Sequence, residues 1–286
     1  MESLKLVECP RDAMQGIVEF IPTELKAKYI NAILKCGFDT VDFGSFVSQK
    51  SIPQLKDTAE LLGMLQLNPM SKMLAIVANE RGAMDACNFE EIDYLGFPFS
   101  VSEEFQQRNT NSSIEESLVR VESIQNLAIK HRKTTVVYLS MGFGNPYGEE
   151  WNTDIVIKWS ERLYNEFGIN IHALSDTIGS ATPATVEYLF NALIPALPKV
   201  EFGAHLHTRR ENAESVLNAA YIAGCRRFDG ALKGYGGCPM ATDSLTGNMP
   251  TEMIIEWLEQ NNVMLPIKKE ALQEAMNISE SVFSYH

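Results

Sequence analysis

His205-Leu206-His207 is the segment whose chemistry is easiest to state. In an extended strand residues i and i+2 face the same side, so both imidazoles are presented to one point, as a pair of metal ligands requires. Read alone, the pair also fits one buried hydrogen-bonding histidine beside one at the surface; its place at the end of a strand in a repeated β/α pattern favours the metal. Asp12 adds a carboxylate and Asn248, in Gly247-Asn248, an amide oxygen. Such nitrogen and oxygen donors, with room left for water or substrate, suit Mg²⁺ or Mn²⁺, with Zn²⁺ or Co²⁺ as alternatives. Without the histidines, Asp12 reads as an ordinary strand-end carboxylate and Asn248 as a turn residue. Gly234-Tyr235-Gly236-Gly237-Cys238-Pro239 is a glycine-rich stretch with one thiol. It is either a cover that delivers Cys238 as an acid or nucleophile, or a plain connection with a bystander cysteine.

These residues need a scaffold that brings distant segments to one place. β-rich runs at Leu4 to Pro10, Thr40 to Ser45, Lys72 to Ala78, Ile92 to Ser100, Thr134 to Met141, Asn170 to Thr177, Val200 to His207 and Arg226 to Lys233 alternate with helical spacing. The helical segments include Pro22 to Gly37, Ile114 to Lys133, Asp154 to Phe167, Pro183 to Leu197 and Asn212 to Gly224. Thr182 or Pro183 opens one of them, and Gly37, Gly168 and Gly224 stand where helices end. Eight such units predict an α/β fold, a TIM (β/α)8 barrel formed by residues 1–286 as a single domain. A last barrel helix follows at about Thr251 to Asn261, and Leu265 to His286 is expected to add an extra C-terminal helix. In this architecture active sites form at the C-terminal ends of the strands, where Pro10 to Gln15, Asp42 to Ser45, Ser175 to Thr177 and His205 to His207 all fall.

Composition narrows the function classes. The chain has 37 acidic and 24 basic residues, a net charge of −13, which argues against a nucleic-acid partner because phosphate binding needs clustered Lys and Arg. Local basic groups or helix N-termini can still hold a phosphorylated small molecule. Five scattered cysteines, with no CxxC pair, indicate neither a disulfide framework nor a zinc knuckle. With no apolar run of membrane-spanning length and no basic-then-apolar leader, the expected location is the cytoplasm, with no membrane partner.

In the order of its motifs the chain resembles the hydroxymethylglutaryl-CoA lyases, members of the DRE-TIM metallolyase superfamily. The matching stretches are Val7-Glu8 with Pro10-Arg11-Asp12 and Gln15, Ser45-Phe46-Val47-Ser48 with Lys50 and Pro53-Gln54, Ser113 to Ser117, Asp176-Thr177-Ile178-Gly179, His205-Leu206-His207, Gly236-Gly237-Cys238-Pro239 and Gly247-Asn248. The resemblance implies that Asp12, His205, His207 and Asn248 are metal ligands. It also implies that Arg11 stabilises an enolate oxygen, Cys238 protonates the acetyl-CoA enolate, and Gln15, Asp42 and Asp176 line the substrate site. His205 is counted with Arg11, Asp42, Asp176 and Cys238 as catalytic. Gln15, Ser45 and Asn111 form the substrate-binding set, although loop capping explains Asn111 equally well. The implied reaction is retro-Claisen cleavage of hydroxymethylglutaryl-CoA, or a related 3-hydroxyacyl thioester of CoA, to acetyl-CoA and a keto acid by a homodimer. A condensing synthase or aldolase of the same superfamily is the nearest alternative, and a non-catalytic metal-containing ligand-binding barrel is one of another class. The chain departs from the family pattern at Ala13, where glycine is expected, at Asp42, where glutamate is expected, and at Thr208, where aspartate follows the second histidine. Arg209-Arg210-Glu211 then replaces a smaller run; the arginines read as anion ligands or as surface ion pairs.

Overall fold

The computed structural model describes residues 4–237 and 246–285. In chain order the elements are β1 (Lys5–Glu8), α1 (Pro10–Met14), α2 (Thr23–Cys36), β2 (Thr40–Ser45), α3 (Thr58–Gly63), β3 (Lys72–Ile76), α4 (Glu80–Cys87), β4 (Tyr94–Ser100), α5 (Glu103–Thr110), α6 (Ile114–Lys130) and β5 (Thr134–Ser140). They continue with α7 (Thr153–Phe167), β6 (Ile171–Asp176), α8 (Pro183–Ala196), β7 (Glu201–Leu206), α9 (Arg210–Ile222), β8 (Arg227–Gly230), α10 (Thr251–Gln260) and α11 (Lys269–Val282). The eight strands pair in parallel in sequence order, and β8 closes on β1, giving the (β/α)8 barrel. Among the described residues no helix is long and apolar enough to cross a membrane.

Strands buried on both faces need apolar side chains inside and out, and this is why β5 reads Thr-Thr-Val-Val-Tyr-Leu-Ser with little alternation. Its inward residues Val136 and Tyr138 join Leu74, Ile76, Ile171 and Ala173 in a cluster inside the barrel. Outward residues such as Val137 and Leu139 pack under the helices. The helix boundaries follow local chemistry. Ser113 and Glu116 close a capping box at the start of α6, and Thr182 caps α8 with Pro183 at its first position. Gly37 ends α2 in a left-handed conformation, at φ 91°.

Two local features shape the mouth of the barrel. The segment from Pro10 is not a continued strand: proline's fixed φ suits the first position of a helix, and residues 10–14 form the single helical turn α1. This puts Arg11 and Gln15 four residues apart on one helical face. Between Asp42 and Gly44 the pairing of β2 with β3 shifts register, a bulge of the kind that re-aims side chains beside active sites. The C-terminal α11 packs on α2, with Phe283 edge-on to Tyr29 and the Lys268 N–H donating to the Cys36 carbonyl.

Candidate active site

Arg11, on α1, is the hub of the polar mouth. Its Nε donates to both Asp42 oxygens at 3.1 and 3.0 Å, and Nη2 to Asp42 Oδ2 at 2.5 Å. Nη1 donates to Asp12 Oδ1 at 3.0 Å and Gln15 Oε1 at 2.9 Å, while the Gln15 amide returns a bond to Asp12 at 2.7 Å. A guanidinium has five N–H donors, so these contacts leave one hydrogen of Nη2 uncommitted. Burial works against the guanidinium's charge, but Asp42 and Asp12 outweigh it and raise its proton affinity, so Arg11 stays a cation. Burial pushes Asp42 up to about 6 against the pull of Arg11. Asp12 is also buried, yet Arg11 and the two histidines hold its carboxyl below the usual range.

The histidines come from the end of β7. One ligand atom from each of Asp12, His205 and His207 lies within 4.8 Å of the others, all three residues being buried. His207 Nε2 and Asp12 Oδ2 stand 3.8 Å apart, too far for a hydrogen bond and near enough to share a cation. Asn248 bridges antiparallel to His207, and its amide nitrogen donates to Asp12 Oδ2 at 2.8 Å and to the Tyr235 carbonyl at 2.9 Å. Its Oδ1 is thereby the atom left for a ligand. Burial pushes His207 down to about 4, which keeps its imidazole neutral as ligation demands. The donor chemistry therefore fits a divalent cation. The loop after β8 presses on this group: a Cβ added to Gly236, at φ +101°, would come within 2.7 Å of the Asn248 amide and 2.9 Å of Ala13 Cα.

Thus Arg11, Asp12, Gln15, Asp42, His205, His207 and Asn248 converge. The other residues singled out in the sequence make different contacts. Ser45 donates to the Ile76 carbonyl and accepts from the Val47 N–H. Asp176 accepts from the backbone N–H groups of Ile178, Ser180 and Ala181, bracing the turn after β6. Asn111 is exposed in a left-handed conformation at the C-terminus of α5 and accepts from Gln107. Cys238 lies outside the described residues. Thr208 donates to the Arg209 carbonyl, and Arg210 is exposed and pairs with Glu252.

Of two further buried carboxylates, Asp229 escaped the sequence reading, and Glu8 stood there only within a matching stretch, with no role. Asp229 accepts from His205 Nδ1 at 3.1 Å, the contact that orients a ligating imidazole and leaves Nε2 as the nitrogen available to ligate. Its signal was register: on β8, Asp229 sits directly across from His205. Cys9 joins the same two residues as a further close trio, but burial pushes its thiol well up, so it contributes no anion. Glu8 accepts from the Leu232 N–H and the Thr251 hydroxyl, tying β1 to the start of the loop after β8 and to α10.

The sequence matches the HMGL-like family model over residues 5–282. It is 36% identical over 266 residues to the hydroxymethylglutaryl-CoA lyase of Bacillus subtilis (strain 168), covering 93% of this chain and 88% of that protein. The crystal structure of the Bacillus subtilis HMG-CoA lyase superposes with a TM-score of 0.91 at 34% identity, over 98% of this chain and 94% of that one. An HMG-CoA lyase of Acinetobacter baumannii, solved in complex with coenzyme A and 3-methylmalate, superposes with a TM-score of 0.90 at 27% identity, over 99% and 92% of the two chains. Expectations of a (β/α)8 barrel and of lyase kinship are met by these matches over almost the whole length. The chain belongs to the HMGL-like family and is a carbon–carbon lyase of the hydroxymethylglutaryl-CoA lyase type.

Proposed function

We propose that the protein cleaves hydroxymethylglutaryl-CoA, or a related 3-hydroxyacyl thioester of CoA, to acetyl-CoA and a keto acid. The observation that carries this reading is the convergence of Asp12, His205 and His207 beside an Arg11 guanidinium held in place by Asp42. Asp12, His205, His207 and Asn248 would hold the cation, Mg²⁺ or Mn²⁺ first and Zn²⁺ or Co²⁺ as alternatives. When bound, the cation supplies Lewis-acid polarisation that acidifies the tertiary hydroxyl of the substrate.

The chain's own residues do the rest, beginning with the Asp42 carboxylate, which takes the proton that the tertiary hydroxyl gives up as it becomes the keto oxygen. His205 presents Nε2 while Nδ1 stays bonded to Asp229. Arg11 offers its uncommitted Nη2 hydrogen to the thioester oxygen, where negative charge develops as the carbon–carbon bond breaks. Asp42 fixes that guanidinium so that no reorientation is needed during the reaction. Cys238 returns a proton to the enolate carbon, giving the methyl group of acetyl-CoA. Gln15 anchors Arg11 and Asp12 and borders the substrate, and Ser45, Asn111 and Asp176 complete the substrate side. Residues 1–286 act as one metallolyase domain, which we place in the cytoplasm as a homodimer; sedimentation of the purified protein checks the dimer.

The deciding test incubates the protein with hydroxymethylglutaryl-CoA, a reductant and Mg²⁺ or Mn²⁺, and measures acetoacetate and acetyl-CoA against an EDTA control. Metal-dependent release of both products is the expected result. Absence of both, with the cation bound, would move the activity to another 3-hydroxyacyl substrate.

A further inference from the structure

Beneath the cation-binding cluster, the barrel interior holds a second polar group that the proposed chemistry does not use. β8 is extended, so Arg227 and Asp229 face the same, inward side. Arg227 is fully buried, its guanidinium 5.7 Å from the Tyr94 ring, and its Nη1 donates to Glu201 Oε1 at 3.2 Å. Glu201 also pairs with Lys5 at the opposite mouth of the barrel. Space for the arginine comes from its register partner on β7: a Cβ on Gly203 would come within 3.0 Å of Arg227 Cδ.

Among the described residues four buried atoms of these side chains have no hydrogen-bond partner: Arg227 Nε and Nη2, the Tyr138 hydroxyl and Asp229 Oδ1. They are complementary, because the guanidinium only donates, the carboxylate accepts and the hydroxyl can do both. Buried polar atoms in native interiors are paired directly or through ordered water, and a bound water with several such partners is part of the structure. The group adjoins the histidine in two ways. Tyr138 stands edge-on to His205 with ring centroids 5.3 Å apart, and the second oxygen of Asp229 holds His205 Nδ1. Burial disfavours the Arg227 charge, and Asp229 is the foremost neighbour that restores it.

We propose that Arg227 is a positioning residue for His205: through water shared with Tyr138 it fixes the Asp229 carboxylate, and Asp229 in turn keeps His205 in the Nδ1–H tautomer with Nε2 available to ligate. The consequence for cation binding rests on the function proposed above; the tautomer does not. Glu201 anchors the far end of the guanidinium, so the barrel core serves as a scaffold for one imidazole at its mouth.

The test is a long-range ¹H–¹⁵N correlation of the imidazoles in metal-free, ¹⁵N-labelled full-length protein at alkaline pH, with Mn²⁺ affinity measured separately by electron paramagnetic resonance. Burial works against the charge of His205, but Asp229 outweighs it and raises the ring's proton affinity, and only the neutral ring has a tautomer. His172 is an internal reference, because its Nε2 faces the Ile169 carbonyl and not this group. In Arg227→Met the His205 signals are expected to change from the pure Nδ1–H form to a mixture of tautomers, with those of His172 unmoved and Mn²⁺ affinity about 10-fold weaker. Tyr138→Phe, which removes only the hydroxyl, carries the same expectation for the tautomer and decides the matter should Arg227→Met not fold. His205 still wholly in the Nδ1–H form in the folded variants would overturn the proposal. Wild-type protein that binds no Mn²⁺ would instead remove the cation reading, while the tautomer would still decide the role of Arg227.

Discussion

Arg11 and Arg227 are both buried guanidiniums in one barrel, and their surroundings could hardly differ more. Arg11, at the mouth, spends four of its five hydrogens on Asp42, Asp12 and Gln15, and its main counter-ion is fully enclosed. Arg227, lower down, has one direct hydrogen-bond partner among the described residues, Glu201, which is itself 30% exposed. A saturated guanidinium is locked in one geometry and suits direct contact with a reacting oxygen. One with free donors is built to act through what it shares with its neighbours. The same residue type thus marks the reacting layer in one place and its support in the other.

Removing each arginine should separate the two environments. Arg11→Met strands Asp42, so we expect a loss of about 3–5 kcal/mol in stability and of the order of 100- to 1000-fold in kcat, checked by urea unfolding and product assay. Near-normal turnover would break the assignment of Arg11 to the reacting layer. Arg227→Met leaves behind a partly solvated Glu201 and a buried Asp229 that keeps its bond to His205, and its unfolding free energy should fall by no more than about 2 kcal/mol. A larger loss would mean that the two sites are held alike. Gly203→Ala crowds Arg227 without deleting it and should cost about 1 kcal/mol, read as a lowered melting temperature that Arg227→Met in the same chain relieves.

The carboxylates extend the comparison. Asp12 has Arg11 beside it and is held below the usual range, whereas Glu8 is buried with no ion pair among the described residues, and burial pushes it up to about 8 despite bonds from Thr251 and Leu232. Folding therefore favours the protonated Glu8. Its contribution is complete below the ordinary value near 4.5 and is lost as pH rises through about 8. The melting temperature should fall across this window in the wild type and fall less in Glu8→Gln. Equal slopes would sink this reading of Glu8.

Much of the scaffold was legible because period and punctuation agree: all eight strands and the C-terminal helix stand close to their expected places. The helical turn after Cys9 was not anticipated, since Pro10 following an apolar run reads equally as a strand end and as a first helical position. In the site, strand alternation pairs His205 with His207, and the shared mouth at the C-terminal ends of the strands adds Asp12. Asp229 and Arg227 could not, because their meaning depends on register across two strands and on which inward atoms find partners. A lone acid near a strand end carries no such information.

Equilibrium Mn²⁺ binding to the wild type and to His207→Ala, followed by electron paramagnetic resonance, tests the central claim most directly. The account predicts one tightly bound ion per chain in the wild type, and binding weakened by more than about 100-fold in the variant. Equal binding by the two proteins would contradict it.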